Sequence, residues 1–184
     1  MGTSEPEGPE AQGPPAQRDT ASGPPEAMAP AGSVEPAPAP HESIVVGHDG
    51  SAGAQHALVE ALELADQLRL PVVVVRAWSI ATAPRPPKWT FGYVSSFAEY
   101  AEAVAEALVH DAQDAVAAHP AVPVSYRAVH ASPAACLIEV SRHARMLVVG
   151  TRGRGGITGM LLGSVSEQCV RHAVCPVLVV RPRG

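Results

Sequence analysis

The sequence predicts a doubly wound α/β domain over residues 41–184, a parallel sheet with helices on both faces. Short apolar runs rich in Val recur along the chain, at Ile44–Gly47, Val72–Val75, Leu147–Val149 and Val177–Val180. A strand that is apolar at every position is one buried on both faces. Between these runs lie segments whose apolar residues repeat at helical spacing. Strands that alternate with helices need crossover connections, and right-handed crossovers wind such a sheet in both directions.

Each element has its own local signal. Ile44–Gly47 ends in glycine and enters the turn His48-Asp49-Gly50-Ser51. Ala54, Ala57, Leu58, Ala61, Ala65 and Leu68 then mark one helical face, which Pro71 stops. Val72–Val75 is a second strand of four consecutive valines, followed by an irregular stretch over 79–94 with Pro84, Pro86 and Pro87. A second helix is expected over about 95–118, ended by Pro120, and Val124–Val129 alternates well enough for a third strand. Ser132-Pro133 is a capping residue with proline at the first helical position, so a helix is expected over 132–143. Leu147–Val149 runs into a glycine cluster. A helix from Ser164 to His172 and a strand at Val177–Val180 close the pattern.

Residues 1–40 differ in kind. They hold ten of the 19 prolines, no aromatic residue, no Leu and no Ile. Such a segment cannot bury enough apolar area to offset the ordering entropy of its backbone, so a disordered, polyproline-leaning tail is expected. Its acids (Glu5, Glu7, Glu10, Asp19, Glu26, Glu35) against Arg18 account for the whole formal charge of −5. The remaining domain is formally neutral, with no general field to draw nucleic acid or an anionic membrane. Hydrophobic residues make up 46% of the chain and aromatic ones 4%, so the core must be aliphatic. Three cysteines, Cys136, Cys169 and Cys175, fit neither a disulfide framework nor a zinc site. The start lacks a secretory pattern and no run reaches the ~18 apolar residues of a membrane span, so a cytoplasmic setting is expected.

The chemistry is expected in Gly150-Thr-Arg-Gly-Arg-Gly-Gly-Ile-Thr-Gly-Met-Leu-Leu-Gly163-Ser164-Val165-Ser166. It follows a strand and ends at a helix start, the place where open α/β sheets bind ligands. Glycines there let main-chain amides approach phosphate oxygens, and a helix N-terminus adds N–H groups and partial positive charge. Ser164 and Ser166 can cap that helix or offer hydroxyls to phosphate, while Arg152 and Arg154 stand ready to neutralise anionic oxygens. A glycine-rich lid without a ligand remains the plain alternative. GxxxxGK[ST] is absent because no lysine follows Gly163, and GxGxxG fails because Thr158 takes the third glycine position. GxSxG is not met at Ser164 or Ser166. Asp49 and Ser51 read equally as a turn residue and a helix cap, and His48 as a turn residue.

The spacing Gly150, two residues, Gly153, nine residues, Gly163-Ser164 resembles the G-2x-G-9x-G(S/T) signature of the ATP-binding branch of the universal stress protein family. The likeness extends to Ile44-Val-Val-Gly-His-Asp49-Gly-Ser51 and to Cys175-Pro-Val-Leu-Val-Val-Arg181. It implies a Rossmann-like (HUP) sheet of five parallel strands in order 3-2-1-4-5, forming a homodimer through the last strand. It also implies ATP across the strand ends, with adenine near the main chain of Ala77. Gly47, Asp49 and Ser51 would line the first strand's turn, with Asp49 beside the ribose or phosphates, directly or through Mg2+. Gly150, Arg152, Gly153, Gly163 and Ser164 would hold ribose and phosphates, with Val165 and Ser166 close by. The chain departs from the family pattern at His48, Ala131 and Arg145. No catalytic constellation is recognised, so the expected role is regulatory, through nucleotide binding and an unknown protein partner. The rivals are a nucleotide-free dimeric interaction module and an adenylate-handling enzyme with slow ATP hydrolysis.

Overall fold

A computed structural model describes residues 1–2, 36–86, 94–154 and 161–182. Five parallel strands form one sheet: β1 (Ile44–Gly47), β2 (Val72–Trp78), β3 (Val124–His130), β4 (Met146–Gly150) and β5 (Val177–Val180), in order β3-β2-β1-β4-β5. Helices α1 (Ala52–Leu68) and α2 (Phe97–Ala117) cover one face, and α3 (Pro133–Val140) and α4 (Ser164–His172) cover the other.

The valine runs dictate this arrangement. In β1 and β2, Ile44, Val46, Val72 and Val74 pack under α1 and α2, while Val45, Val73 and Val75 pack under α3 and α4. Successive side chains on a strand point to opposite faces, so a sheet with two helical layers needs apolar residues at every position of its central strands. The α1 stripe of Ala57, Leu58, Ala61, Leu62 and Ala65 is wholly buried on the first layer. Full burial of a Val or Leu side chain contributes roughly 1.5–3 kcal/mol, which an aromatic-poor core must accumulate from many small groups.

The helix ends follow from named residues. Ser51 caps α1, its hydroxyl accepting from Ala54 N–H at 3.2 Å. Arg69 ends that helix in the left-handed region at φ 56, and Leu70 N–H then reaches back to the Ala65 carbonyl. Ser96 and Glu99 form a reciprocal capping box that starts α2 at Phe97. Ser132 and Pro133 open α3 as expected, although the Ser132 side chain makes no capping bond, and the expected single helix over 132–143 divides into α3 and a 3-10 turn at 141–143.

The expectation of a disordered tail falls mostly on residues 3–35, which lie outside the described residues. Its last five residues, 36–40, are seated on the domain. Ala39 is buried and donates its N–H to the Val140 carbonyl at 2.7 Å, and Arg127 donates to the Ala37 carbonyl.

The chain winds from β1 outward through β2 to β3, then returns past β1 to β4 and β5. The carboxyl ends of β1 and β4 therefore flank the reversal point, where a doubly wound sheet opens a crevice. Both strands end in glycine there. A Cβ on Gly150 would stand 2.7 Å from the main chain of Gly53, so β4 passes α1 at a distance only glycine allows.

Candidate functional site

A cavity of about 700 Å³ opens at that crevice. Every residue that the family resemblance assigns to the nucleotide, except Ser51, lines it: Gly47, Asp49 and Ala77 from the β1 and β2 ends, Gly150, Arg152 and Gly153 after β4, and Gly163 to Ser166 at the start of α4. The hydroxyl of Ser51 is used as the α1 cap.

The α4 side of the cavity is made of main chain. Gly163 occupies the N-cap position and gives its own N–H to the Thr151 carbonyl at 2.7 Å, so it anchors the helix start and is not itself a donor to a ligand. Ser164, Val165 and Ser166 form the first turn, whose amides have no intrahelical acceptor. The serines do not cap this helix through their side chains. Ser166 is buried, with its hydroxyl donating to the carbonyl of Thr151 or Gly163. Ser164 is exposed at the rim. The glycines at 155, 156 and 159 lie outside the described residues.

Asp49 joins the two sides. One carboxylate oxygen accepts the Ser51 N–H at 3.0 Å, and the other accepts the Arg154 N–H at 2.9 Å, so β1's turn grips the start of the glycine loop. Both readings of Asp49 thus apply, since it shapes the turn and also lines the cavity. Burial pushes its carboxyl up, but the bonds from Ser51 and Arg154 outweigh burial and hold it below the usual carboxylate range. Gly153 sits directly against this carboxylate, and a Cβ there would collide with an Asp49 oxygen.

The α2 side is made of side chains. Arg76 is buried in β2 and donates through Nε to the His48 carbonyl, and through one Nη to His48 Nδ1 at 3.0 Å and to Asp111 at 2.7 Å. His48 is buried, and its Nε2 faces Gln55 Oε1 at 3.0 Å. With Arg76 donating to Nδ1, the ring must be neutral and carry its proton on Nε2. Burial, aided by the Arg76 charge, holds its pKa below the usual histidine value. Val104, Ala107 and Asp111 of α2, with Trp78 and Ala83, complete this wall. Trp78 packs against Phe97 and His130 at ring separations of 5.2 and 4.9 Å.

The sequence reading missed Arg76, Asp111 and Trp78. A signal existed for the first: an arginine in a run of valines needs a partner when buried. The partner, thirty-five residues away on α2, carried no signal of its own.

A protein-held metal does not fit here. Among the described residues no three His, Cys, Asp or Glu side chains group to hold one, and both Asp49 oxygens already accept main-chain N–H bonds. The cysteines are unpaired, and burial raises Cys136 and Cys169 to about 11, which disfavours thiolate chemistry. Among the described residues no helix is long and apolar enough to cross a membrane.

Residues 40–181 match the family described as universal stress protein. The chain belongs to the universal stress protein family. Universal stress protein Rv2005c of Mycobacterium tuberculosis is 38% identical over 141 residues, covering 77% of this chain and 46% of that protein. The chain therefore spans about half the length of the curated universal stress proteins it matches. A crystal structure of a universal stress protein in complex with cAMP is similar at 26% identity and TM-score 0.57, covering 78% of this chain and 98% of that one. A universal stress protein from Archaeoglobus fulgidus in complex with dAMP shares the fold at 20% identity and TM-score 0.51, with coverages of 76% and 97%. The five-stranded order 3-2-1-4-5 implied by the family resemblance is the order found.

Proposed function

We propose that this universal stress protein binds an adenine nucleotide, with ATP the preferred ligand, and acts by binding rather than turnover. The supporting observation is a cavity that joins an apolar wall, for a base, to glycine-flanked main-chain amides at a helix start, for phosphate. The cAMP complex of a related protein supports the adenine nucleotide class. Ala77 meets the base, Gly47, Asp49 and Ser51 shape the β1 turn, and Gly150, Arg152, Gly153 and Ser164 to Ser166 serve ribose and phosphates, with Gly163 anchoring the helix start close against them. Any Mg2+ arrives with the triphosphate. Asp49, held ionised and bonded to two amides, is poorly suited to take a proton from water, which favours binding over hydrolysis.

Bound nucleotide would alter a surface read by a second copy or by a protein partner in the cytoplasm. The open edge of β5, with Val177, Leu178 and Val179 only half-buried, supports a homodimer through that strand. Titration calorimetry tests the reading. ATP is expected to bind the wild type, and Gly153→Ala, which drives a methyl into Asp49, is expected to weaken it at least about tenfold. A wild type that takes up no adenine nucleotide would end the proposal in favour of a nucleotide-free interaction module.

A further inference from the structure

Arg154 is bonded to one carboxylate through its main chain and has its side-chain head near a second. Its main-chain N–H goes to Asp49, and its guanidinium lies over Gly50 near Asp111. A Cβ added at Gly50 would stand 2.6 Å from Arg154 Nη2, 3.0 Å from Asp111 Oδ2 and 3.4 Å from Arg76 Nη2. Distances from one shared point keep the Arg154 and Asp111 heads within about 6 Å, close enough for real attraction at a half-wet rim. Gly50 is needed there twice over, for its φ of +83 and for the space these charges occupy.

The two arginines are not held equally. Arg76 is buried and takes the short bond to Asp111, whose side chain is 34% exposed. Arg154 is exposed and lies near a carboxylate whose ion pair is already made with Arg76. Along the opening, Gly163 abuts Arg152, with its added Cβ 3.6 Å from Arg152 Cα, while Gly153 abuts Asp49. Residues 152–154 therefore run from the α4 start to the Asp49 and Asp111 wall.

We propose that Arg154 is the residue by which this cavity discriminates nucleotides by phosphate number, its side chain turning from beside Asp111 to the outer phosphates of a di- or triphosphate. The inference rests on the proposal that the cavity takes an adenine nucleotide. One phosphate group is served by the first-turn amides of α4. Each further phosphate extends negative charge along residues 152–154 and competes with Asp111 for the loosely held guanidinium, which a planar fork of donors suits. A monophosphate or a cyclic phosphate leaves that competition to the carboxylate. The Arg154 main chain stays with Asp49 throughout, so only the side chain moves.

Calorimetric titration of ATP, ADP, AMP and cyclic AMP into the full chain, as wild type, Arg154→Gln, Arg154→Lys and Asp111→Asn, tests this. Arg154→Gln is expected to weaken ATP about tenfold or more and AMP far less, collapsing the ATP-to-AMP preference. Arg154→Lys is expected to restore part of that preference. Asp111→Asn removes the competing charge yet keeps an acceptor for Arg76, and is expected to tighten ATP severalfold. Equal losses for ATP and AMP in Arg154→Gln, or weaker ATP binding by Asp111→Asn, would overturn the inference while leaving nucleotide binding intact. A wild type that binds none of the four removes both.

Discussion

The two walls of the cavity are built from different materials. The α4 wall is main chain, made of glycines, carbonyls and the first turn of a helix. The α2 wall is side chain, with His48, Arg76 and Asp111 brought together from β1, β2 and α2. A main-chain wall recognises whatever fits its amides and is insensitive to pH. A side-chain wall depends on every partner being present and on one histidine staying neutral. In the proposed reading, the first wall takes the phosphate common to all nucleotides and the second answers to any phosphates beyond it.

The difference can be broken open by mutation. The largest effect is expected from Arg76→Met, which strips Asp111 of its buried partner and leaves the His48 carbonyl without its donor. A loss of about 3 kcal/mol is expected, near the low end for a broken buried pair because Asp111 keeps some access to water. Urea unfolding measures it, and a loss below ~1 kcal/mol would show that the α2 wall is ornamental. On the opposite side of β1, Gly150→Ala forces a methyl against the Gly53 main chain, with an expected cost of about 1–3 kcal/mol and weakened ATP binding. An unchanged urea midpoint would mean that β4 and α1 separate freely.

The smallest effect separates the walls by pH. The pKa of His48 is lowered by folding, so below the ordinary histidine value of 6.5 the unfolded chain binds a proton that the folded one refuses. Stability is then lost as pH falls through that value, by at most about 1.4 kcal/mol per pH unit, until the folded-state pKa is reached. Asp49 works in a lower window: its depressed carboxyl adds stability above 3.8 that is lost as pH falls through its folded value. Urea midpoints at pH 7.5 and 5.5 should fall for the wild type and fall less for His48→Gln. Equal falls would assign the pH dependence to other histidines.

The two walls also differ in how far the sequence disclosed them. The α4 wall was legible because glycines at fixed spacing after a valine strand have few other uses, and the α4 and β5 boundaries emerged as expected. Within it, the bond from the Ser166 hydroxyl to Thr151 left no sequence signal, since its acceptor lies across the loop. The α2 wall was illegible because it rests on pairings 28 and 35 residues apart. The same pairing explains why β2 continues to Trp78 instead of stopping at Val75. An arginine ends an apolar run on paper, but Arg76 stays in the strand because His48 and Asp111 accept its charge. Similarly, Ser96-Phe-Ala-Glu99 carries a capping box that places the α2 start, whereas the break between α3 and the 3-10 turn after Val140 left no composition signal.

Aromatic residues are scarce in this chain, and Trp78, which lines the cavity, packs against Phe97 and His130 in tilted and edge-on contacts. The indole of Trp78 lines the crevice proposed above to take a base, and it lies beside an imidazole able to quench it. In a chain whose other tryptophan, Trp89, is replaced by phenylalanine, light emitted from Trp78 would report occupancy of the crevice directly, with no background from the interior.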